Sequence, residues 1–172
     1  MHEQHDRASE LQCELQQVLH HEIPLSRQMR LTVHQYDGEC LSLRAPLAPN
    51  INHKATAFAG SLNAVATLAG WGTMWLVLAE HGLRGTIVIQ ESTTRYLLPV
   101  GTDFVATCRL PMAHEAERFL AGLRRRGKAR LPLAVSILDD DGRVAVAFTG
   151  TYVAFAHTSD RAASPVRVTE EL

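Results

Sequence analysis

Residues 55–79 read ATAFAGSLNAVATLAGWGTMWLVLA, 25 positions without one charged side chain. A run of that length is long enough to cross a bilayer as a helix. Its content points elsewhere. It holds Thr56, Ser61, Asn63, Thr67 and Thr73, with Gly60, Gly70 and Gly72 among them. No positive cluster flanks it: Lys54 precedes it, and Glu80 and His81 follow. It also sits between strand-like segments. The run therefore reads as a helix buried on most of its circumference inside a soluble domain, with no membrane span. Thr56 is its expected N-cap, and Gly82, just after His81, is its expected stop.

Upstream, residues 8–21 place Leu11, Leu15, Val18 and Leu19 on one stripe, an amphipathic helix that Pro24 ends. RLTVHQYDGECLSLRA follows, two alternating runs around Asp37-Gly38, which predicts a hairpin. A proline- and asparagine-rich loop, PLAPNINHKAT, leads into the long helix. Downstream, GTIVIQESTTRYLLPV is a long β-branched strand ended by Pro99 and Gly101, and DFVATCRL is another. AHEAERFLAGLRRR is a short helix with Phe119, Leu120 and Leu123 on its apolar side. KARLPLAVSILDD and RVAVAFTGTYVAF alternate around an Asp-Asp-Asp-Gly turn and predict a second hairpin. The tail 157–172 is polar.

The composition agrees with one globular domain. The chain has 172 residues, 46% of them apolar, and a formal net charge of −1, which argues against a protein dominated by nucleic-acid binding. Cys13, Cys40 and Cys108 are odd in number and widely spaced. They predict no disulfide framework and a cytoplasmic home, and their contexts read as structural. The first residues, MHEQHDRASELQCEL, lack the apolar segment of a secretory signal. The histidines show no HxxxH or HExxH spacing, so no metal is expected. Expected boundaries are an N-terminal helix and lead-in at 1–24, the main domain at 25–156, and the tail.

Consecutive strands joined by tight turns favour an antiparallel sheet, and a sheet that buries one helix so fully must curl around it. The predicted class is α+β, a hotdog fold with the sheet wrapped around one long central helix. The segment Asn50-Ile51-Asn52-His53-Lys54-Ala55-Thr56-Ala57-Phe58-Ala59-Gly60-Ser61-Leu62 resembles the start of the central helix in hotdog thioesterases of the YiiD C-terminal type. Arg95-Tyr96-Leu97-Leu98-Pro99-Val100, the stretch Phe119 to Arg130 and the closing hairpin resemble that family too. The resemblance covers residues 25–156. It implies acyl-thioester chemistry, a homodimer as the minimum unit, and active sites at the subunit interface. No cofactor is implied beyond the coenzyme A or phosphopantetheine that is part of the substrate.

A helix start offers unpaired N–H groups and partial positive charge, and Gly60 lets a ligand approach that backbone closely. This suits a thioester carbonyl becoming an oxyanion. Asn52 would add a donor or orient water; alternatively, Asn50 and Asn52 only shape the turn. Asn50, His53, Phe58, Ala59, Ser61 and Asn63 are the expected substrate-binding neighbours. Ser61, Asn63 and Thr67 line a pocket, face a partner subunit, or bond back to the preceding turn. The sequence departs from many hotdog thioesterases in having no acid on the helix before Glu80. Glu91, on the next strand, is the nearest candidate base, or else an exposed residue pairing with Arg95. His53 invites a dehydratase reading, but the acid such enzymes carry on the central helix is absent. Arg124, Arg125 and Arg126, with Lys128 and Arg130, would hold coenzyme A phosphates or an acidic carrier protein, or are a solvated helix end. The sequence thus reads as a homodimeric acyl-CoA or acyl-carrier-protein thioesterase. A non-hydrolytic thioester-binding domain and an acyl transferase or decarboxylase are the alternatives.

Overall fold

The computed structural model describes residues 2–157; the polar tail expected from 157 onward otherwise lies outside the described residues. Helix α1 spans His2–Glu22 and α2 Pro24–Gln28; strands β1 (Thr32–Tyr36) and β2 (Cys40–Ala45) follow. A single 3-10 turn at Ala48–Asn50 precedes α3 (Ala59–Glu80). Then come β3 (Gly85–Tyr96), β4 (Phe104–Arg109), α4 (Ala113–Arg126), β5 (Lys128–Leu138) and β6 (Val144–Ala156). The six strands form one antiparallel sheet in the order β1-β2-β4-β5-β6-β3. The sheet curls around α3, whose Leu62, Val65, Ala66, Leu68, Met74, Leu76 and Leu78 are buried. This is the hotdog architecture. α3 is long and apolar enough to cross a membrane, but it is enclosed as a core helix.

Both predicted hairpins form, and each turn is held by its aspartate. Asp37 Oδ1 accepts from the N–H of Glu39 (2.9 Å) and Cys40 (2.7 Å), which holds its carboxyl below the usual range. Asp139 Oδ1 accepts from the N–H of Asp141 and Arg143, and its other oxygen takes the Arg143 guanidinium. Pro24 ends α1 as expected, but it also opens α2, because a first-turn position needs no N–H.

The lead-in helix shares the core. Leu11, Leu15 and Leu19 are all buried, one turn apart. On the flank of that stripe, Gln12 and Gln16 act on β1, the strand at one edge of the sheet. Gln16 Oε1 accepts from Val33 N (2.6 Å), and Gln12 Oε1 accepts from Tyr36 N (3.2 Å). Gln12 Nε2 donates to Val33 O and Gln16 Nε2 to Leu31 O. Side-chain amides thus occupy backbone groups that would otherwise stand open at a sheet edge. On the opposite edge, β3, the cover is slighter: the Trp71 indole reaches the Ile87 carbonyl.

The helix end follows the expected pattern in detail. Gly82 takes φ +65°, Leu83 N donates to Leu78 O (2.9 Å), and Gly82 N donates to Ala79 O (3.1 Å), the paired bonds of a glycine-closed helix. Deeper in, α3 meets β6 where Gly70 leaves room for Tyr152. The tyrosine hydroxyl passes over the bare Cα and donates to Thr67 O at 2.7 Å. Cys108 is buried nearby, and desolvation pushes its thiol up to about 11, so it is an inert core group at neutral pH. Cys13, by contrast, is exposed on α1 rather than packed.

Candidate active site

The segment before α3 is organised by one side chain. Asn52 Oδ1 accepts from Lys54 N at 2.8 Å and from Thr56 N at 3.3 Å. Its Nδ2 donates to Thr56 Oγ1 (3.0 Å) and Ala57 O (3.2 Å). This is an Asx-type turn that also holds Ala55 in the left-handed region at φ +59°. It corrects two expectations. Asn52 has both ends of its amide committed to the loop, so it shapes the site wall rather than aiming a free donor. Thr56 is drawn into the same network, and the helix starts later: Phe58 is the N-cap, with no side-chain cap bond. Asn50 is a structural residue as well. It is 2% exposed, and its Nδ2 donates to Met29 O and Pro46 O. The Asn50 carbonyl accepts from Phe58 N at 2.7 Å, fixing the entry to α3.

Ala59, Gly60 and Ser61 are therefore the first helical residues, and their N–H groups have no intrahelical acceptor. Ala59 and Gly60 are exposed and Ser61 is half-buried. The Phe58 ring is 55% exposed and folds back over Gly60, where any Cβ would overlap it. Gly60 is thus what lets the Phe58 ring lie where a side chain would stand, with Ala59 and Gly60 still exposed. His53 is exposed on the loop.

Beside the helix start is a cavity of about 300 Å³, lined by Asn52, Ala57, Ala59, Leu62 and the run Tyr96-Leu97-Leu98-Pro99-Val100. The last five residues carry part of the family resemblance, and sequence reasoning does not single them out as site residues. The signal was present: an apolar run after a strand, broken by proline, has to leave the sheet and pack on something. Ala57 N donates to Val100 O (2.8 Å), joining the two walls. Tyr96 Oη donates to Ala59 O at 3.1 Å, placing a phenol on the first turn of the helix. One turn further in, Thr94 Oγ1 donates to Asn63 Oδ1 at 2.6 Å. The Asn63 amide N–H₂ and the Ser61 hydroxyl make no hydrogen bond among the described residues. Farther along, Trp71 Nε1 donates to Ile87 O (3.2 Å). Three side-chain bonds therefore fasten α3 along β3.

Glu91 is not brought to this site. Ile87 and Ile89 face the helix, opposite Ala154 and Tyr152. A bulge at Gln90 then shifts the register, so Glu91 pairs with Thr151. Neighbours along a strand point to opposite faces, so Thr151 and Glu91 lie on the outer face, away from α3. The Glu91 carboxylate accepts from Thr151 Oγ1 at 3.3 Å and makes no ion pair with Arg95 among the described residues. Among the described residues, no carboxylate or imidazole lines the cavity at the helix start. Arg124, Arg125 and Arg126 end α4, and Arg126 lines a cleft remote from this cavity. Among the described residues, no group of three or more His, Cys, Asp or Glu is placed to hold a metal ion.

A protein-family profile described as "Putative thioesterase (yiiD_Cterm)" matches residues 12–156. A crystal structure of a protein of unknown function from Chlorobaculum tepidum is 34% identical. It aligns over 87% of this chain and 97% of that one, with a TM-score of 0.85. A structure described as a "putative thioesterase" from Shewanella oneidensis is 36% identical over 86% of this chain and 99% of that one, with a TM-score of 0.77. A Pseudomonas aeruginosa protein described as a "Probable Thioesterase" is 24% identical over 83% and 94%, with a TM-score of 0.72, and speaks for the fold alone.

Proposed function

Because the chain belongs to the YiiD C-terminal thioesterase family, we propose that it hydrolyses an acyl thioester of coenzyme A or of an acyl carrier protein, with the carbonyl held at the start of α3. The observation that carries this reading is the uncapped, exposed first turn at Ala59 and Gly60, open beside an apolar cavity. The carbonyl oxygen would sit against the Gly60 N–H, where preorganised donors stabilise the charge that develops as water adds to the carbonyl carbon. Collapse of that adduct breaks the C–S bond, and the proton lost by the water goes to the departing thiolate. Ser61 and Asn63 offer the unengaged polar groups nearest in sequence to the helix start, and Asn52 supports the wall.

The same reading uses a homodimer. β3 is a 12-residue edge strand with Val88 and Ile89 exposed, and the opposite edge is already covered by the α1 glutamines. Partly exposed Ala64, Thr67, Trp71 and Trp75 continue that open side onto α3. Two β3 edges pairing about a two-fold axis would cover both surfaces. Sedimentation at micromolar concentration should give a dimer or a multiple of it; a 19 kDa species alone would rule out this assembly. A cytoplasmic location is part of the proposal, where the cysteines stay reduced.

A thiol-release screen over short, medium, long and aromatic acyl-CoAs tests the hydrolase reading. At least one class should turn over. Glu91→Gln should leave kcat within about twofold of wild type, since removal of a true general base costs about a hundredfold or more. One observation favours a second reading, a non-hydrolytic thioester-binding domain: among the described residues of the single chain, no acid or imidazole lines the cavity. Tight binding of every acyl-CoA without thiol release would select it.

A further inference from the structure

We propose that the cleft between α4 and the first half of β5 binds the phosphorylated end of an adenosine nucleotide. The cleft is about 510 Å³, within the size range of small-molecule sites. Two periodicities converge on it. On α4, Glu115, Arg118, Phe119, Gly122 and Arg126 follow one another at helical spacing along one side. On β5, Lys128, Arg130 and Pro132 alternate to the exposed face. Gly127, at φ +70°, turns the chain so that β5 runs back beside α4: Gly122 lies close to Ala129 of the buried row, and Lys128 and Arg130 edge the cleft.

The result is four cations, Arg118, Arg126, Lys128 and Arg130, against one carboxylate. That carboxylate is engaged: Glu115 Oε2 accepts from Met112 N at 3.0 Å, at the start of the helix. Arg118, Lys128 and Arg130 have no carboxylate partner among the described residues. Arg130 Nε is steered by a neutral group, Gln90 Oε1, at 2.8 Å, and Lys128 Nζ lies 5.0 Å from the centre of the Phe155 ring. Both contacts orient a charge without neutralising it. Gly122 adds a hollow: a Cβ there would come within 2.7 Å of the Arg126 guanidinium, so that group rests on bare helix backbone. Phe119, Ala129, Leu131 and Pro132 supply apolar wall. Convergent guanidinium and ammonium groups recognise phosphate, and apolar wall beside arginine planes suits an aromatic base.

The identity of the nucleotide rests on the thioester reading; the cleft itself does not. Two sources carry this chemistry, the nucleotide end of a coenzyme A thioester and a free nucleotide. Geometry leaves both open. Arg130 pairs with Val153 of β6, whereas Tyr96, at the helix start, pairs with Val146. Seven residues of strand separate them, roughly 23 Å.

The test is calorimetric titration of adenosine 3′,5′-bisphosphate, which carries no thioester. Wild-type protein should bind it, and more weakly as salt is raised. The exposed double variant Arg118→Ala/Arg130→Ala should lose at least about tenfold in affinity, and Lys128→Ala somewhat less. Arg27→Ala/Arg109→Ala, which removes as much charge elsewhere, should bind as wild type does. No binding to wild type, or equal loss in the control, overturns the proposal. Failure of the hydrolase reading is distinguishable, since it would remove thiol release and leave this titration intact. Competitive inhibition of thiol release assigns the cleft to the substrate's own nucleotide, and non-competitive inhibition to a free one.

Discussion

Gly60→Val should lower kcat/KM for thioester hydrolysis by about a hundredfold or more while the protein stays folded. Loss of one donor to a developing oxyanion typically costs that much. Gly60 is exposed in the first turn, so a larger side chain there leaves the core undisturbed. It does two other things. It crowds the N–H groups of the helix start, and it displaces the Phe58 ring that folds over the glycine. Phe58→Ala separates them: it removes the ring but leaves the backbone donors open, so its effect should be much the smaller. A folded Gly60→Val protein with wild-type kcat/KM would remove the helix start from the chemistry.

The largest effect on stability is expected at Gly70. A Cβ there overlaps the Tyr152 ring, which is fully buried. Gly70→Val therefore overpacks the core, at about 1–3 kcal/mol, and pushes the hydroxyl off Thr67 O, with a further cost of about 1–3 kcal/mol for orphaned buried groups. Replacing a helical glycine returns less than about 1 kcal/mol. The net loss should be about 1–6 kcal/mol, a fall in Tm of about 10 °C near the middle of that range at fixed protein concentration. Tyr152→Phe alone should cost about 1 kcal/mol. Combined with Gly70→Ala, the two losses should fall short of their sum, because both act on one contact. An unchanged Tm for Gly70→Val would mean that α3 and β6 do not meet there.

Much of this architecture was legible because its signals are local. An uncharged run of 25 residues with scattered hydroxyls has few stable solutions other than a core helix. Asp37-Gly38 and Asp139 to Gly142 carry their turns in their own side chains and glycines. The site was less legible, for reasons that lie between elements. Alternation from Ile87 and Ile89 would put Glu91 on the helix side, and only the bulge at Gln90 reverses it. Nothing in Gln90-Glu91-Ser92 announces that insertion. Thr56 is a good cap by residue type, but Asn52 reaches it first. The basic run at 124–126 looked like one patch, yet successive helical residues diverge by about 100°. Arg126 alone joins Arg118, a partner two turns upstream that no linear cluster reveals.

The short reach of β4 leaves α4 a flank of β5 to cover. β4 pairs with β5 only from Ala106 to Cys108, opposite Ile137 to Val135. Among the described residues, the first half of β5, Lys128 to Ala134, has no strand on that side, and α4 packs against β5. That half alternates buried and exposed residues, the pattern that recruits a foreign strand when its flank is bare. α4 immediately precedes β5 in the chain, so it can form from local contacts before the sheet closes. Formed ahead of β5, it should shield that edge from foreign strands. Weakening it should show first as precipitation during refolding, with the finished core still intact.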